Sequence, residues 1–167
     1  MFLPADAKRV LIGRRYANMR MPNARILVFV VLAVAVVIGT VAHIGRAQSR
    51  SGDVNLLARL IAAEAEGEPY QGMVAVGAVM LNRVASPKFP NSISGCVFQP
   101  GAFESVSNGL IWRRSPSRQA ISAARDAMNG YDPTYGCVFF WNPAKPVSGW
   151  IWSRSIAVKI GKHVFAR

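Results

Sequence analysis

Three glutamates alternate along the segment EAEGE, at Glu64, Glu66 and Glu68, and their settings make them unequal. Read as a helix at about 100° per residue, the preceding stretch places Leu57, Leu60, Ile61 and Glu64 on one face, with Glu64 between Leu60 and Ile61. Glu66 falls on roughly the opposite side, and Glu68 lies beyond Gly67, a residue that readily ends a helix. A carboxylate on an apolar stripe is costly unless it is paired, hydrogen-bonded or protonated. From Val54 to Ala65 the only cation is Arg59, which points elsewhere. Two readings of Glu64 follow: a general acid with a raised pKa, or a glutamate at a partly open helix end, bonded to a neighbouring loop.

Other chemistries find little support. Beyond residue 50 the chain has one histidine, His163, and no Gly-x-Ser-x-Gly elbow, so a serine hydrolase is unsupported. A Cys-His nucleophile would need Cys96 or Cys137 beside His163, and nothing in the spacing favours it. No pair of Cys or His has zinc-like spacing, and the His and carboxylate set of a zinc peptidase is missing. Carboxylate chemistry remains, needing neither metal nor cofactor, with Glu64 first and Glu68, Glu104, Asp126 and Asp132 as possible second carboxylates.

The elements that must position Glu64 can be read outward from it. Asp53 is the expected N-cap of its helix. After the turn Pro69–Gly72, MVAVGAVMLNRV is apolar on nearly every side, the pattern of a buried helix, expected to pack on the Leu57 face and hold Glu64 rigidly. Ser86-Pro87 and Phe89-Pro90 stop regular structure, and the Gly-, Ser- and aromatic-rich run from Asn91 to Ile111 reads as loops and hairpins beside the acid. Ser115-Pro116 is read as the cap and first position of a helix ending at Gly130, with Ala120, Ile121, Ala124 and Met128 inward and Arg118, Arg125 and Asp126 in water. CVFFWN reads as a strand, and GWIWSRS as another in which Trp150 and Trp152 share a face. The tail IAVKIGKHVFAR is read as strand or helix. Each cysteine opens a Cys-Val-Phe triplet read as the start of a strand, leaving a Cys96–Cys137 disulfide and two buried free thiols both open.

Further from the acid, Ile26 to Ile44 is apolar apart from Thr40 and His43, long enough for a single transmembrane helix. Six basic residues precede it against Asp6 alone, which puts the N-terminus in the cytoplasm and the rest outside. A cleaved signal peptide is the alternative, but the run is long for one and Thr40-Val41-Ala42 is a poor cleavage site. The expected organisation is a basic cytoplasmic arm over 1–25, an anchor over 26–44, a short linker over 45–52 and a soluble domain over 53–167. It implies a single-pass protein of the cytoplasmic (inner) membrane with an extracytoplasmic or periplasmic domain. Of the net charge of +12, residues 1–50 carry +7 and residues 51–167 the remaining +5. More than half of the basicity is therefore topology signal; the excess outside suits an anionic wall polymer, and export argues against nucleic acid.

Seven ordered blocks, EAEGEPYQG, AVGAVMLNRV, FPNSI, FQPGAF, AARDAMNGYDPT, FFWNPAK and IGKHVF, span about Leu56 to Phe165. In them the chain resembles the cell-wall hydrolases typified by the spore cortex-lytic enzymes. The resemblance implies an α+β, mainly helical, lysozyme-like fold related to lytic transglycosylases, with a small antiparallel sheet beside the cleft. It also implies a single catalytic glutamate, which falls on Glu64. Ala63 stands where the family often has glycine, and FESVSNG departs from an FSFVSDG-like stretch, differences that bear on substrate contacts. Those contacts are expected from Glu68, Gln99, Phe103, Ser105, Trp141, Asn142 and Trp152, the aromatic rings stacking on sugar faces. The expected partner is the peptidoglycan glycan strand, cut at the β-1,4 bond between N-acetylmuramic acid and N-acetylglucosamine with a 1,6-anhydro product. A water-using muramidase and an inactive, membrane-tethered wall-binding protein are the alternatives.

Overall fold

The structure, a computed structural model, describes residues 23–167, so the arm expected over 1–25 lies almost wholly outside the described residues. The chain divides into two units, with the boundary between Arg46 and Ala47. Helix α1, Ala24–Glu64, starts in the first unit and ends in the second. Its apolar N-terminal part is long and apolar enough to cross a membrane, a test a signal sequence also meets, and none of its described side chains is buried in protein. Its two polar residues turn inward onto the helix itself: Thr40 Oγ1 donates to Val37 O at 2.8 Å, and His43 Nδ1 lies 2.8 Å from Gly39 O. The stretch 45–52 is helical, and Asp53 lies inside α1 rather than capping it. Gly45 and Gly52 weaken a helix by about 1 kcal/mol each, too little to break one this long.

In the second unit, α2 (Tyr70–Ala85) is the central element, and every residue from Gly72 to Met80 is buried. The all-round apolar pattern is thus met by cover on all sides. One face takes Leu57 and Ile61 of α1; another takes α6 (Arg118–Met128), whose Ala120, Ala123, Ala124 and Ala127 are buried while Ile121 and Met128 sit at the edge. Gly77 lets these helices close: a Cβ there would lie 2.9 Å from Ala127 Cβ and 3.2 Å from Ile61 Cδ1. The cap of α6 is Ser117, whose side chain accepts from Ala120 N, not Ser115, and at the surface Asp126 accepts from Tyr70 Oη at 2.6 Å. Gly130, at φ 96°, follows the helix end as expected.

Between α2 and α6 run the short helices α3 (Ile93–Val97), α4 (Glu104–Ser107) and α5 (Leu110–Arg113). Strands β1 (Phe139–Trp141), β2 (Ile156–Ile160) and β3 (His163–Ala166) form an antiparallel sheet ordered β1-β3-β2. Phe140 and Phe165 are paired across β1 and β3 and pack into the helical core. The opposite face, with Trp141 opposite Val164, is covered by Gly149–Ser153. That segment is a 3₁₀ helix rather than a strand: Trp150 packs edge-on to Phe139 at 5.6 Å and Trp152 to Trp141 at 5.5 Å. Cys96 is in helix α3 and Cys137 in the coil before β1, so the triplets are not neighbouring strands; both thiols are free and buried.

Candidate active site

Glu64 is the last residue of α1, half-buried at the end of the stripe formed by the fully buried Leu57, Leu60 and Ile61. The helix stops there, and Gly67, at φ 75°, takes the left-handed conformation that turns the chain towards α2. Ser105, buried in α4, donates from Oγ to Glu64 Oε1 at 2.5 Å. Burial pushes the Glu64 carboxyl above its ordinary value, and the negative charge of Glu104 pushes the same way. The Ser105 hydrogen bond and the positive charge of Lys145 oppose it without cancelling it. A carboxyl so placed holds its proton to higher pH than a free glutamate, the property a general acid needs.

The other glutamates of EAEGE have different duties. Glu66 is exposed and pairs with Arg114, whose guanidinium also donates to Ala62 O at 3.2 Å, closing the end of α1. Glu68 is buried and accepts from Lys162 N at 2.8 Å, with His163 Nδ1 at 3.6 Å. Burial holds the His163 imidazole below its ordinary pKa against the pull of Glu68, with Lys145 and Lys162 adding to the depression. The turn at Gly161, φ 59°, must lack a side chain, because a Cβ there would run into Glu68 Oε2.

Of the remaining carboxylates, Asp132 is a clamp in the turn before β1. It accepts from Thr134 N and Oγ1, Gly136 N and Asn82 Nδ2, and although burial pushes its carboxyl up, these bonds outweigh it and hold the group below its usual value. Asp126 serves Tyr70. Glu104 therefore stands as the second carboxylate whose charge reaches Glu64.

The residues expected to touch substrate divide by burial. Ser105 is on Glu64, and Gln99 and Trp152 are exposed. Phe103 is buried, stacked on Phe140 at 6.2 Å with the Arg83 guanidinium 5.4 Å from its ring, which makes it a wall of the core. Trp141 is 4% exposed and packs beneath Trp152, and its indole N–H finds no acceptor among the described residues. Asn142 is half-buried and caps its own turn, accepting from Ala144 N at 2.9 Å. Cys96 and Cys137 are free thiols rather than a disulfide, and burial raises the pKa of each; their charged neighbours are Arg83 for Cys96, and Arg167 and Asp132 for Cys137, not His163. Among the described residues no cluster of three His, Cys, Asp or Glu could hold a metal. Lys145 was not singled out by sequence; its signal was being the lone cation in the turn Asn142–Pro146.

Comparison with known proteins shows what this arrangement is similar to. The profile described as Cell Wall Hydrolase matches residues 67–166, beginning three residues after Glu64. A spore cortex-lytic enzyme of Oceanobacillus iheyensis is 46% identical over 115 residues, covering 69% of this chain and 41% of that protein. The chain thus spans less than half the length of that relative. The cell wall hydrolase CwlJ of Bacillus subtilis is 33% identical over 125 residues, covering 71% of this chain and 87% of that one. The crystal structure of the catalytic domain of the Bacillus cereus SleB protein superimposes with a TM-score of 0.65 at 46% identity, over 70% of this chain and 91% of that one. The catalytic domain of a Bacillus anthracis SleB, described as a germination-specific lytic transglycosylase, does so with the same score and identity.

Proposed function

Because the chain belongs to the cell wall hydrolase family, we propose that it cleaves peptidoglycan glycan strands at the β-1,4 bond between N-acetylmuramic acid and N-acetylglucosamine, with Glu64 as its general acid. The observation that carries this reading is the half-buried Glu64 carboxyl, raised in pKa by that burial and hydrogen-bonded by Ser105. Neutral Glu64 protonates the leaving glycosidic oxygen as the C1–O bond breaks, and an oxocarbenium-like state develops on the muramic acid ring. The carboxylate left behind then takes the proton of the attacking hydroxyl. With the sugar's own 6-hydroxyl as attacker the product is a 1,6-anhydro ring and no water is consumed. The description of the B. anthracis relative as a lytic transglycosylase supports that outcome.

The proximity of Glu104 favours one rival, a muramidase in which Glu104 assists an attacking water. Mass spectrometry of digested peptidoglycan separates the two, since the anhydro product is lighter by one water. Wild-type protein is expected to release anhydro-muropeptides and Glu64→Gln protein nothing; equal wall clearance by both would sink the enzymatic reading. The apolar part of α1 serves, in this proposal, as a single-pass anchor in the cytoplasmic membrane, N-terminus inside, with the second unit in the extracytoplasmic space.

A further inference from the structure

Beside the second unit's part of α1, away from Glu64, a recess of about 510 Å³ opens between Gln48, Asn55, Leu56 and Arg59 of the helix and two aromatic rings, Phe98 and Trp112. Asn55 precedes Glu64 by nine residues, which at about 100° per residue sets it on the opposite side of the helix. This recess is therefore separate from the acid. Phe98 and Trp112 are 43% and 57% exposed, and their rings lie nearly parallel, 16° apart, with centroids separated by 6.0 Å. Arg59 is held in place twice: its guanidinium lies 5.6 Å from the Trp112 ring centroid, and its Nε donates to Asn55 Oδ1 at 3.1 Å. Two large aromatic side chains turned to water beside a concavity mark a binding surface rather than a core.

The lining chemistry selects the occupant. Aromatic and aliphatic walls meet the apolar faces of pyranose rings, while the amides of Gln48 and Asn55 meet hydroxyl and N-acetyl groups. Among the described residues no carboxylate lines the recess, and Arg59 supplies a cation for a lactyl or peptide carboxylate. A bilayer would take convex apolar side chains, not an amide-lined hollow.

We propose that this recess is a second glycan-binding site, which holds one stretch of a peptidoglycan strand while Glu64 acts on another. The proposal rests on the glycan substrate argued above. A second foothold raises the effective concentration of an insoluble substrate at the cleft without adding any contact to the reacting bond.

The test uses full-length protein in detergent, in the Glu64→Gln background, with purified insoluble peptidoglycan as probe in a sedimentation assay. Trp112→Ala is expected to weaken binding about tenfold, and Asn55→Ala, an exposed helix position where alanine favours the fold, to weaken it about threefold. With Glu64 restored, both variants should turn over short soluble glycan chains within about twofold of the parent while losing rate on insoluble wall, the split expected of a remote foothold. Unchanged sedimentation of both variants overturns the proposal, as does an equal loss of rate on soluble and insoluble substrates. If the parent binds but never cleaves, and Trp112→Ala still releases it, the catalytic reading fails while the second site stands.

Discussion

Glu64 and Glu68 lie four residues apart on either side of a left-handed glycine, and the protein treats their burial in opposite ways. Glu68 is taken in and tied down, with a backbone N–H on one oxygen, His163 beside the other and a turn shaped so that no Cβ intrudes. Glu64 is left half-open at a helix end with one hydroxyl donor, so burial disfavours its charged form more than its partners favour it. The difference shows how one motif can supply both a strut and an acid: Glu68 is enclosed by a turn built around it, whereas Glu64 stands half-buried at a helix end where burial outweighs its partners.

The sharpest way to break this comparison is to exchange each carboxylate for its amide. Glu64→Gln should lower turnover by about 10²–10⁴-fold, the usual worth of general acid–base catalysis, while the melting temperature holds or rises. The sign of its pH dependence follows from the raised pKa. Below the unfolded value, near 4.5, Glu64 is protonated in both states; as pH rises through the higher folded value, wild type loses stability that the Gln variant keeps. Denaturant melts at acid and neutral pH check this. Should Glu64→Gln instead destabilise the fold at neutral pH, Glu64 is the strut and the distinction collapses.

Glu68→Ala should do the converse. It leaves Lys162 N–H without its buried acceptor, at a cost of about 1–3 kcal/mol, seen as a fall in melting temperature on the order of 5–10 °C for a domain of this size. Turnover should fall only with the folded fraction. Ser105→Ala, which removes the hydroxyl donor on Glu64, is expected to lower kcat about tenfold and move the alkaline limb of the pH–rate profile upward, since the lost bond favoured the carboxylate. The smallest effects separate the neighbouring charges: Glu104→Gln should shift that limb down and Lys145→Met shift it up, each by less than Ser105→Ala moves it. Abolished turnover in Glu104→Gln, with water-containing products from wild type, would promote Glu104 to the second carboxylate of a muramidase.

The helical core was readable because its pattern has one solution. An all-apolar run such as Gly72–Met80 has to be covered on every side, and the stripe Leu57, Leu60, Ile61 places Glu64 whatever packs against it. Misreadings fell where two structures satisfy one pattern. The alternating tryptophans of GWIWS fit a strand face equally well as two indoles laid from a 3₁₀ helix onto Phe139 and Trp141. Ser115 and Ser117 are both legal caps, and the choice between them depends on which register brings four alanines against α2. The polar stretch 45–52 has a linker's composition but continues a helix propagating from both sides.

What the sequence by itself determined was therefore the carboxylate, its face and the buried helix behind it, because hydrophobic periodicity is local and survives without coordinates. Tertiary structure alone decided which groups surround that carboxylate. Ser105 and Glu104 reach Glu64 from α4 and Lys145 from the turn after β1, and Lys162 and His163 come to Glu68 from the far end of the chain. Proton affinity depends on charges and donors a few ångströms away in space, and no spacing along the chain encodes that distance.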